Sequence, residues 1–418
     1  MNSGRIRAAI LTAGVGALLC IVPVTPAHAD TPTSWESQAL RLSSAQVTTQ
    51  GEGVTVAVLD TGVMKNHPAL AGKVTTGPNF VKDDLRPGNP RWGDHGTAMA
   101  SDVLKVAPKA EILSIRVIDE KGNDFEGGND VSGLVRGIKY ALDRGADVIS
   151  LSLGGGSFAS GFDEEETKVL ARAAGAGVPV VAGAGNDGDE FNGLSYPAAY
   201  PGVIAVAAVD KRGNRAKFST VRTYNSVAAP GVGIVSAKNT GGYESINGTS
   251  PATALTSGVV ALMLAENDKL GPAQVRSILT SNATPPRGGY NPMLGHGTIN
   301  AAASVRAASN PRTDKAAPAD YKGRKHFANP NGVTPTQHPP MDTAALIVGI
   351  VAACVGVLMV IGAIRVIRGR GRRGAAATAM GPSGPGGYPY PPVQVPGYGQ
   401  LPYQQQPAAP PQQPPPYN

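Results

Sequence analysis

Five apolar runs of strand length recur along the middle of this chain, and they limit the fold more than any other feature. They read "VTVAVL" (54–59), "EILSIRV" (111–117), "DVISLSL" (147–153), "VPVVAGA" (178–184) and "GVIAVAAV" (202–209). Most are near-continuous rather than alternating, the pattern of strands buried on both faces of a parallel sheet. Helical patterns lie between several of them. "GNDVSGLVRGIKYALDRG" sets Leu134, Ile138, Ala141 and Leu142 at helical spacing. "DEEETKVLARAAGAG" opens with Asp163 and carries Glu166 three residues on. That is a capping-box arrangement, which gives the acids to a helix N-terminus rather than to a metal. Strand–helix alternation predicts an α/β domain with a doubly wound, mostly parallel sheet flanked by helices.

Two further apolar runs lie outside this pattern. The N-terminus has a basic start (Arg5, Arg7), an apolar stretch from Ala8 to Val22, and Ala27 and Ala29 flanking His28. This predicts a secretory signal peptide over 1–29, cut before Asp30. The second run, Thr343 to Ile364, has 22 residues without a charge. At ~1.5 Å per residue it spans roughly 33 Å, enough to cross a bilayer as one C-terminal transmembrane helix. Arg365, Arg368, Arg370, Arg372 and Arg373 follow at once, which places the C-terminal side in the cytoplasm and the domain outside a cell membrane crossed once.

Residues 309–342 are polar and Pro-rich and read as a stalk. Residues 365–418 are basic, then rich in Pro, Tyr and Gln, and are expected to be disordered because they lack aliphatic bulk. Setting aside the seven flanking Arg and Asp342, the region 30–341 is near neutral, at about +1. This gives no electrostatic case for nucleic-acid binding. Both cysteines, Cys20 and Cys354, fall in the apolar runs, so the central domain has neither a disulfide nor a thiolate metal site.

In a doubly wound sheet, ligand-binding groups collect at the carboxyl ends of the strands. Asp60 follows "VTVAVL" directly, with Gly62 allowing a sharp turn. "WGDHGTAMAS" carries His95 ahead of a helical pattern. "INGTSPATAL" (246–255) holds an Asn-Gly-Thr sequon, a Ser before a Pro, and the start of an apolar helix expected to be buried all round. Those ten residues alone leave Ser250 open as a helix cap, a glycan neighbour or a nucleophile, with Pro251 suited to a first helical position. Acyl transfer needs a nucleophile, a base and an acid that orients the base, and a helix N-terminus favours oxyanion charge. Ser250, His95 and Asp60 are one of each.

"VAVLDTGV", "HGTAMAS" and "NGTSPATA", in the order Asp, His, Ser, resemble the three signatures of the subtilisin-like serine proteases, the subtilases. "VAPKAEILSIRVID", "VISLSLGG", "VVAGAGNDG", "VAAPGVGI" and "GHGTINAAASV" agree with this, so the resemblance runs from Trp35 to Ala308 within a domain at 30–308. It implies that Ser250 attacks the scissile carbonyl, that His95 is general base and then acid, and that Asp60 orients His95. It implies that the Asn186 side chain and the Ser250 N–H hold the oxyanion. Ser152, Leu153 and Gly154 would offer backbone to an extended peptide. The chemistry takes no cofactor or metal, and structural calcium is compatible with the family, though no ligand set maps onto this sequence. "DGDEFNG" (187–193) lacks the full spacing of an EF-hand. His67 reads as structural. His296, in "LGHGT", repeats motif letters but lies near the domain's end.

Three departures stand out. Asp94 sits where subtilases often have a small residue; it can raise the pKa of His95, contact substrate, or simply be solvated. About 25 residues separate the cleavage site from "VTVAVL", which leaves no room for a large folding prodomain. Met usually follows the family's Ser, where this chain has Pro251. Signal peptide, protease domain, stalk and membrane helix together resemble the mycosins, subtilases associated with type VII secretion, although mycosin domains usually carry Cys pairs. That likeness implies a protein or peptide substrate, a membrane, and type VII secretion components as partners. The rival expectation is a non-catalytic or dual-role scaffold of a secretion complex that binds extended peptides.

Overall fold

All five apolar runs become strands of one sheet. The computed structural model describes residues 34–81, 83–120, 132–153, 163–311 and 343–376, and the chain divides after Met341 into two units. The first unit holds a seven-stranded sheet of β1 (Thr55–Asp60), β2 (Val74–Asn79), β3 (Glu111–Arg116), β4 (Val148–Leu151), β5 (Val180–Gly183), β6 (Ile204–Val209) and β7 (Asn225–Pro230). The strands lie in the order β2-β3-β1-β4-β5-β6-β7, and every neighbouring pair is parallel.

The near-continuous apolar pattern has the expected cause. Along β1, Val56 and Val58 enter one buried layer while Ala57 and Leu59 enter the other. The first layer is covered by α3 (Asp94–Val106), α6 (Thr249–Glu266), α7 (Pro272–Asn282) and α8 (Ala301–Ser309). The second is covered by α4 (Gly133–Asp143) and α5 (Glu164–Gly175). Each fully buried Leu or Ile contributes about 1.5–3 kcal/mol, so these two layers carry a domain that has no disulfide. Helix α6 is buried on all sides from Thr249 to Leu264 except at Ser250.

Two strands have no apolar run to announce them. Strand β2 ("VTTGPN") is a half-buried edge strand, where polar residues and Pro are tolerated. Strand β7 ("NSVAAP") is buried but short and Ala-rich. A separate antiparallel pair, β8 (Ile234–Ala237) with β9 (Tyr243–Ile246), precedes α6.

The capping box before α5 forms only in part. Asp163 Oδ1 accepts from Glu166 N at 2.8 Å, but the Asp163 N–H donates to the Tyr200 hydroxyl at 2.8 Å. A tertiary partner takes the place of the local one.

Strand order reverses at β1. The chain runs from β1 out to the edge, returns through β3, then crosses to β4 on the other side. A doubly wound sheet opens its ligand crevice at the carboxyl ends of strands at such a switch point. Asp60 ends β1 and Ser152 follows β4.

Ahead of the sheet, α1 (Trp35–Leu40) and α2 (Leu42–Gln46) pack Leu40, Leu42 and Ala45 into the first layer. Gln46 Nε2 donates to the Lys105 and Val106 carbonyls at the end of α3. Lys105 Nζ lies 3.0 Å from Glu36 Oε1 and 3.3 Å from Asp102 Oδ1, and both acids are buried. Burial pushes the Asp102 carboxyl up to about 7, against the pull of Lys105.

Lys105→Met leaves two buried carboxylates without their cation. It is expected to cost about 3–5 kcal/mol, read as a lower urea midpoint in the fluorescence of Trp35 and Trp92. The sign with pH follows from Asp102, whose folded pKa lies above its unfolded value. Its contribution to stability is complete at low pH and is lost as pH rises through about 7. Removing Lys105 raises that pKa further, so the loss at pH 8 should exceed the loss at pH 5.5. Equal losses would contradict this account.

The second unit contains α9 (Thr343–Ala376). Within it, Leu346–Val366 has a mean hydropathy of 2.9, and none of that stretch is buried. The helix runs past Ile364 into the basic residues as far as Ala376, where the expectation was a disordered tail from 365. The expected signal peptide, residues 312–342 of the stalk and the tail from 377 lie outside the described residues.

Candidate active site

Asp60 closes β1 fully buried, where a carboxylate needs partners. It has them. The Thr61 N–H donates to Asp60 Oδ1 at 2.7 Å, and His95 Nδ1 lies 2.9 Å from both carboxylate oxygens. Nδ1 facing a carboxylate carries the proton, which leaves Nε2 as the acceptor. The His95 side chain is 38% exposed, with no other hydrogen bond to its ring among the described residues.

Two glycines allow this contact. Gly62 turns the chain at φ +96°, and a Cβ there would lie 2.6 Å from the Trp92 indole. A Cβ on Gly96 would lie 2.0 Å from the Gly62 carbonyl oxygen. The first turn of α3 therefore rests directly on the turn after Asp60. Thr97 reinforces it: its hydroxyl donates to the Gly93 carbonyl and accepts from Met64 N at 2.8 Å.

Packing around the His95 ring opposes its charging, but the Asp60 carboxylate outweighs it, helped by Glu120 and Asp94. The pKa of His95 is raised above its ordinary value. Of the three roles open to Asp94, the structure supports the first.

Ser250 stands at the second position of α6, after the N-cap Gly248 and Thr249. Pro251 is therefore third, not first. The shift costs nothing, because the first four helical N–H groups lack intrahelical partners. Nor is Ser250 the cap. Its hydroxyl donates to the Ser152 carbonyl at 3.1 Å, and the Ser152 hydroxyl donates to the Ser250 carbonyl at 3.1 Å. The helix start is held by Asn186, whose Oδ1 accepts from Thr249 N at 2.8 Å and from Thr249 Oγ1 at 3.0 Å. An N–H can only donate, so the Asn186 oxygen is fixed on Thr249. Its NH2 lies on the Gly248 side, 3.8 Å from where a Cβ on Gly248 would sit.

The structure thus joins Asp60 to His95, Ser250 to Ser152, and Asn186 to the residue before Ser250. Leu153 is buried beside them, and Gly154 lies outside the described residues. Sequence reasoning missed Arg116, a fully buried guanidinium at the end of β3. It donates to the Thr61 carbonyl at 2.6 Å and to Asp83 Oδ2 at 2.7 Å, and lies 5.3 Å from the Trp92 ring centroid. Burial opposes ionisation of Asp83, but Arg116 and Asn79 hold its carboxyl below the usual range.

His67 is structural. Its Nδ1 accepts from Ala69 N at 3.1 Å, and its Nε2 then donates to the Gly242 carbonyl at 2.8 Å. His296 packs 5.2 Å from the Tyr290 ring, and burial and Arg276 lower its pKa. In the 187–193 loop both Asp187 oxygens are engaged, by Thr220 Oγ1 at 2.6 Å and Gly193 N at 2.7 Å. No group of three metal-ligating side chains occurs among the described residues.

Parallel sheet, switch-point crevice and acid–imidazole pair are those of a subtilisin-like serine endopeptidase. The model of the Subtilase family matches residues 51–314, and the chain belongs to that family. It is 39% identical over 239 residues to thermitase of Thermoactinomyces vulgaris, covering 55% of this chain and 81% of that protein. It is 37% identical over 268 residues to subtilisin DY of Bacillus licheniformis, covering 62% of this chain and 92% of that one. Among solved structures, MycP1 with its N-terminal propeptide removed superposes with a TM-score of 0.54 at 27% identity, covering 65% of this chain and 96% of that chain. This chain therefore resembles a mycosin as well as thermitase and subtilisin DY.

Proposed function

We propose that the chain is a membrane-anchored extracytoplasmic endopeptidase working through Asp60, His95 and Ser250 and an acyl-enzyme intermediate. The observation that carries this reading is the His95 ring. Its Nδ1 is held 2.9 Å from both oxygens of buried Asp60, and its Nε2 is left as an open acceptor.

A peptide enters extended along the segment after β4, formed by Ser152, Leu153 and Gly154, and displaces the Ser250 hydroxyl from the Ser152 carbonyl. The hydroxyl turns to His95 Nε2, gives up its proton and attacks the scissile carbonyl. Asp60 stabilises the imidazolium that results. The oxyanion lies between the Asn186 NH2 and the Ser250 N–H, at the positive end of α6. Imidazolium protonates the leaving amine, and water then releases the acyl group by the same steps in reverse. The chemistry needs no metal or cofactor.

Helix α9 anchors the protein with the Arg-rich side in the cytoplasm. The likeness to mycosins favours type VII secretion components as partners. The test uses the full chain in native membranes with a denatured polypeptide as substrate. New N-termini are expected with the wild type and none with Ser250→Ala. Externally added trypsin should reach the protease domain of intact cells but not the tail. Equal cleavage by both forms would overturn the triad reading, and a tail digested from outside would overturn the orientation.

A further inference from the structure

Helix α3 begins with N–H groups that no helical carbonyl can accept, and its N-cap, Gly93, has no side chain to supply an acceptor. Two of these donors are satisfied from other segments. The Gly96 N–H donates to Thr61 Oγ1 at 3.0 Å. The Asp94 N–H donates to Glu120 Oε1 at 3.1 Å. One carboxylate from the segment after β3 thus closes the first turn of the helix that carries His95. The Gly96 bond ties the same turn to Thr61, whose own N–H donates to Asp60 Oδ1.

The bond to the Asp94 N–H reaches α3 from a different element, the segment after β3. It is also placed where it matters. The donor is the residue directly before His95, and the added charge sits at the positive end of α3. Among the described residues, the charged groups that act on the His95 ring are Asp60 from β1, Asp94 from α3 itself and Glu120 from the segment after β3. The facing first turn of α6, Thr249 to Thr253, carries no charged side chain, nor does Ser152 after β4. Among the described residues, the charge that acts on the His95 ring is therefore negative, and two of its three sources flank the Asp60 contact rather than form it.

We propose that Glu120 is a positioning residue of this site: it caps the first turn of α3, fixes His95 against Asp60, and adds charge that favours the imidazolium formed when Ser250 loses its proton. This rests on the triad reading above. It concerns a residue that touches neither substrate nor the reacting atoms. Burial and the neighbouring Asp60 charge raise the pKa of Glu120, so its ionisation, and with it this support, is lost on acidification sooner than for an ordinary glutamate.

The test compares Glu120→Gln and Glu120→Ala in the full chain. Gln keeps an acceptor oxygen but no charge; Ala keeps neither. The ring of His95, assigned among the six histidines by comparison with His95→Gln, is followed by 15N NMR in a Ser250→Ala background. The midpoint of its titration is expected to move to lower pH in Glu120→Gln. The acid limb of kcat/KM should move with it. In Glu120→Ala, kcat should also fall about tenfold with KM little changed, the loss expected of an N-cap, and Glu120→Gln should recover most of that fall. An unmoved His95 midpoint in Glu120→Gln, or an unchanged kcat in Glu120→Ala, overturns the proposal. A wild-type chain that cleaves no peptide would overturn the triad reading instead, and the NMR comparison would still decide whether Glu120 acts on His95.

Discussion

Ser250→Ala is expected to lower kcat for peptide hydrolysis by about 10⁶-fold, the size of the loss in subtilisin itself. Nucleophile, base and orienting acid act as a unit, so His95→Ala should cost a similar factor and the double variant little more. Binding should survive. Among the described residues the Ser250 hydroxyl hydrogen-bonds only to the Ser152 carbonyl, while the return bond from the Ser152 hydroxyl goes to the Ser250 backbone and persists. Ala is also a good helix former at the second position of α6. The variant should therefore fold, unfold at nearly the wild-type temperature, and hold an uncleaved peptide with the wild-type Kd. Single-turnover hydrolysis of a chromogenic peptide checks the rate, and a residual activity above about one per cent would contradict the nucleophile assignment.

Asn186→Asp is expected to lower kcat by about 10²–10³-fold or more with KM little changed. The lower bound is the cost of one oxyanion donor, a magnitude that comes from subtilisin. Asp keeps the oxygen that accepts from Thr249 N and Thr249 Oγ1, so the start of α6 stays in place. It replaces the NH2 on the other side with an oxygen that repels the developing charge. Asn186→Leu loses both functions. If Asn186 served only to hold Thr249, Asp would be the mild substitution and Leu the severe one. The oxyanion role requires Asp to be at least as severe in kcat, while Leu alone lowers the unfolding temperature. Steady-state kinetics beside thermal unfolding of the two variants separates these cases.

Much of the scaffold was legible because it rests on local pattern. Buried parallel strands must be apolar on both faces, so "VTVAVL" and "GVIAVAAV" announce themselves. Strand β2 escaped because an edge strand can consist of Thr, Gly, Pro and Asn, and β7 because six short residues carry no period. Asp60, His95 and Ser250 could be picked out as an acid, a base and a hydroxyl beside glycines, and the structure gives those glycines their reason. Gly96 allows α3 to rest on the turn after Asp60.

The support around the three residues was not legible. Arg116, Thr249 and Glu120 act on partners contributed by other elements, and no spacing in the chain encodes such a pairing. The same cause shifted two local readings. Pro251 sits third in its helix because Asn186, from a distant loop, holds a helix that starts two residues earlier, at Thr249. The Asp163 box is completed by Tyr200 rather than by its own helix.

Treating the full chain, and separately its Ser250→Ala and His95→Ala variants, with a serine-directed fluorophosphonate tests the central claim most directly. Peptide mass mapping of the products should show one adduct, on Ser250, in the wild type. It should show none in Ser250→Ala, and labelling slowed by several orders of magnitude in His95→Ala. A folded wild-type chain that stays unlabelled, or an adduct that persists when Ser250 is replaced, would contradict it.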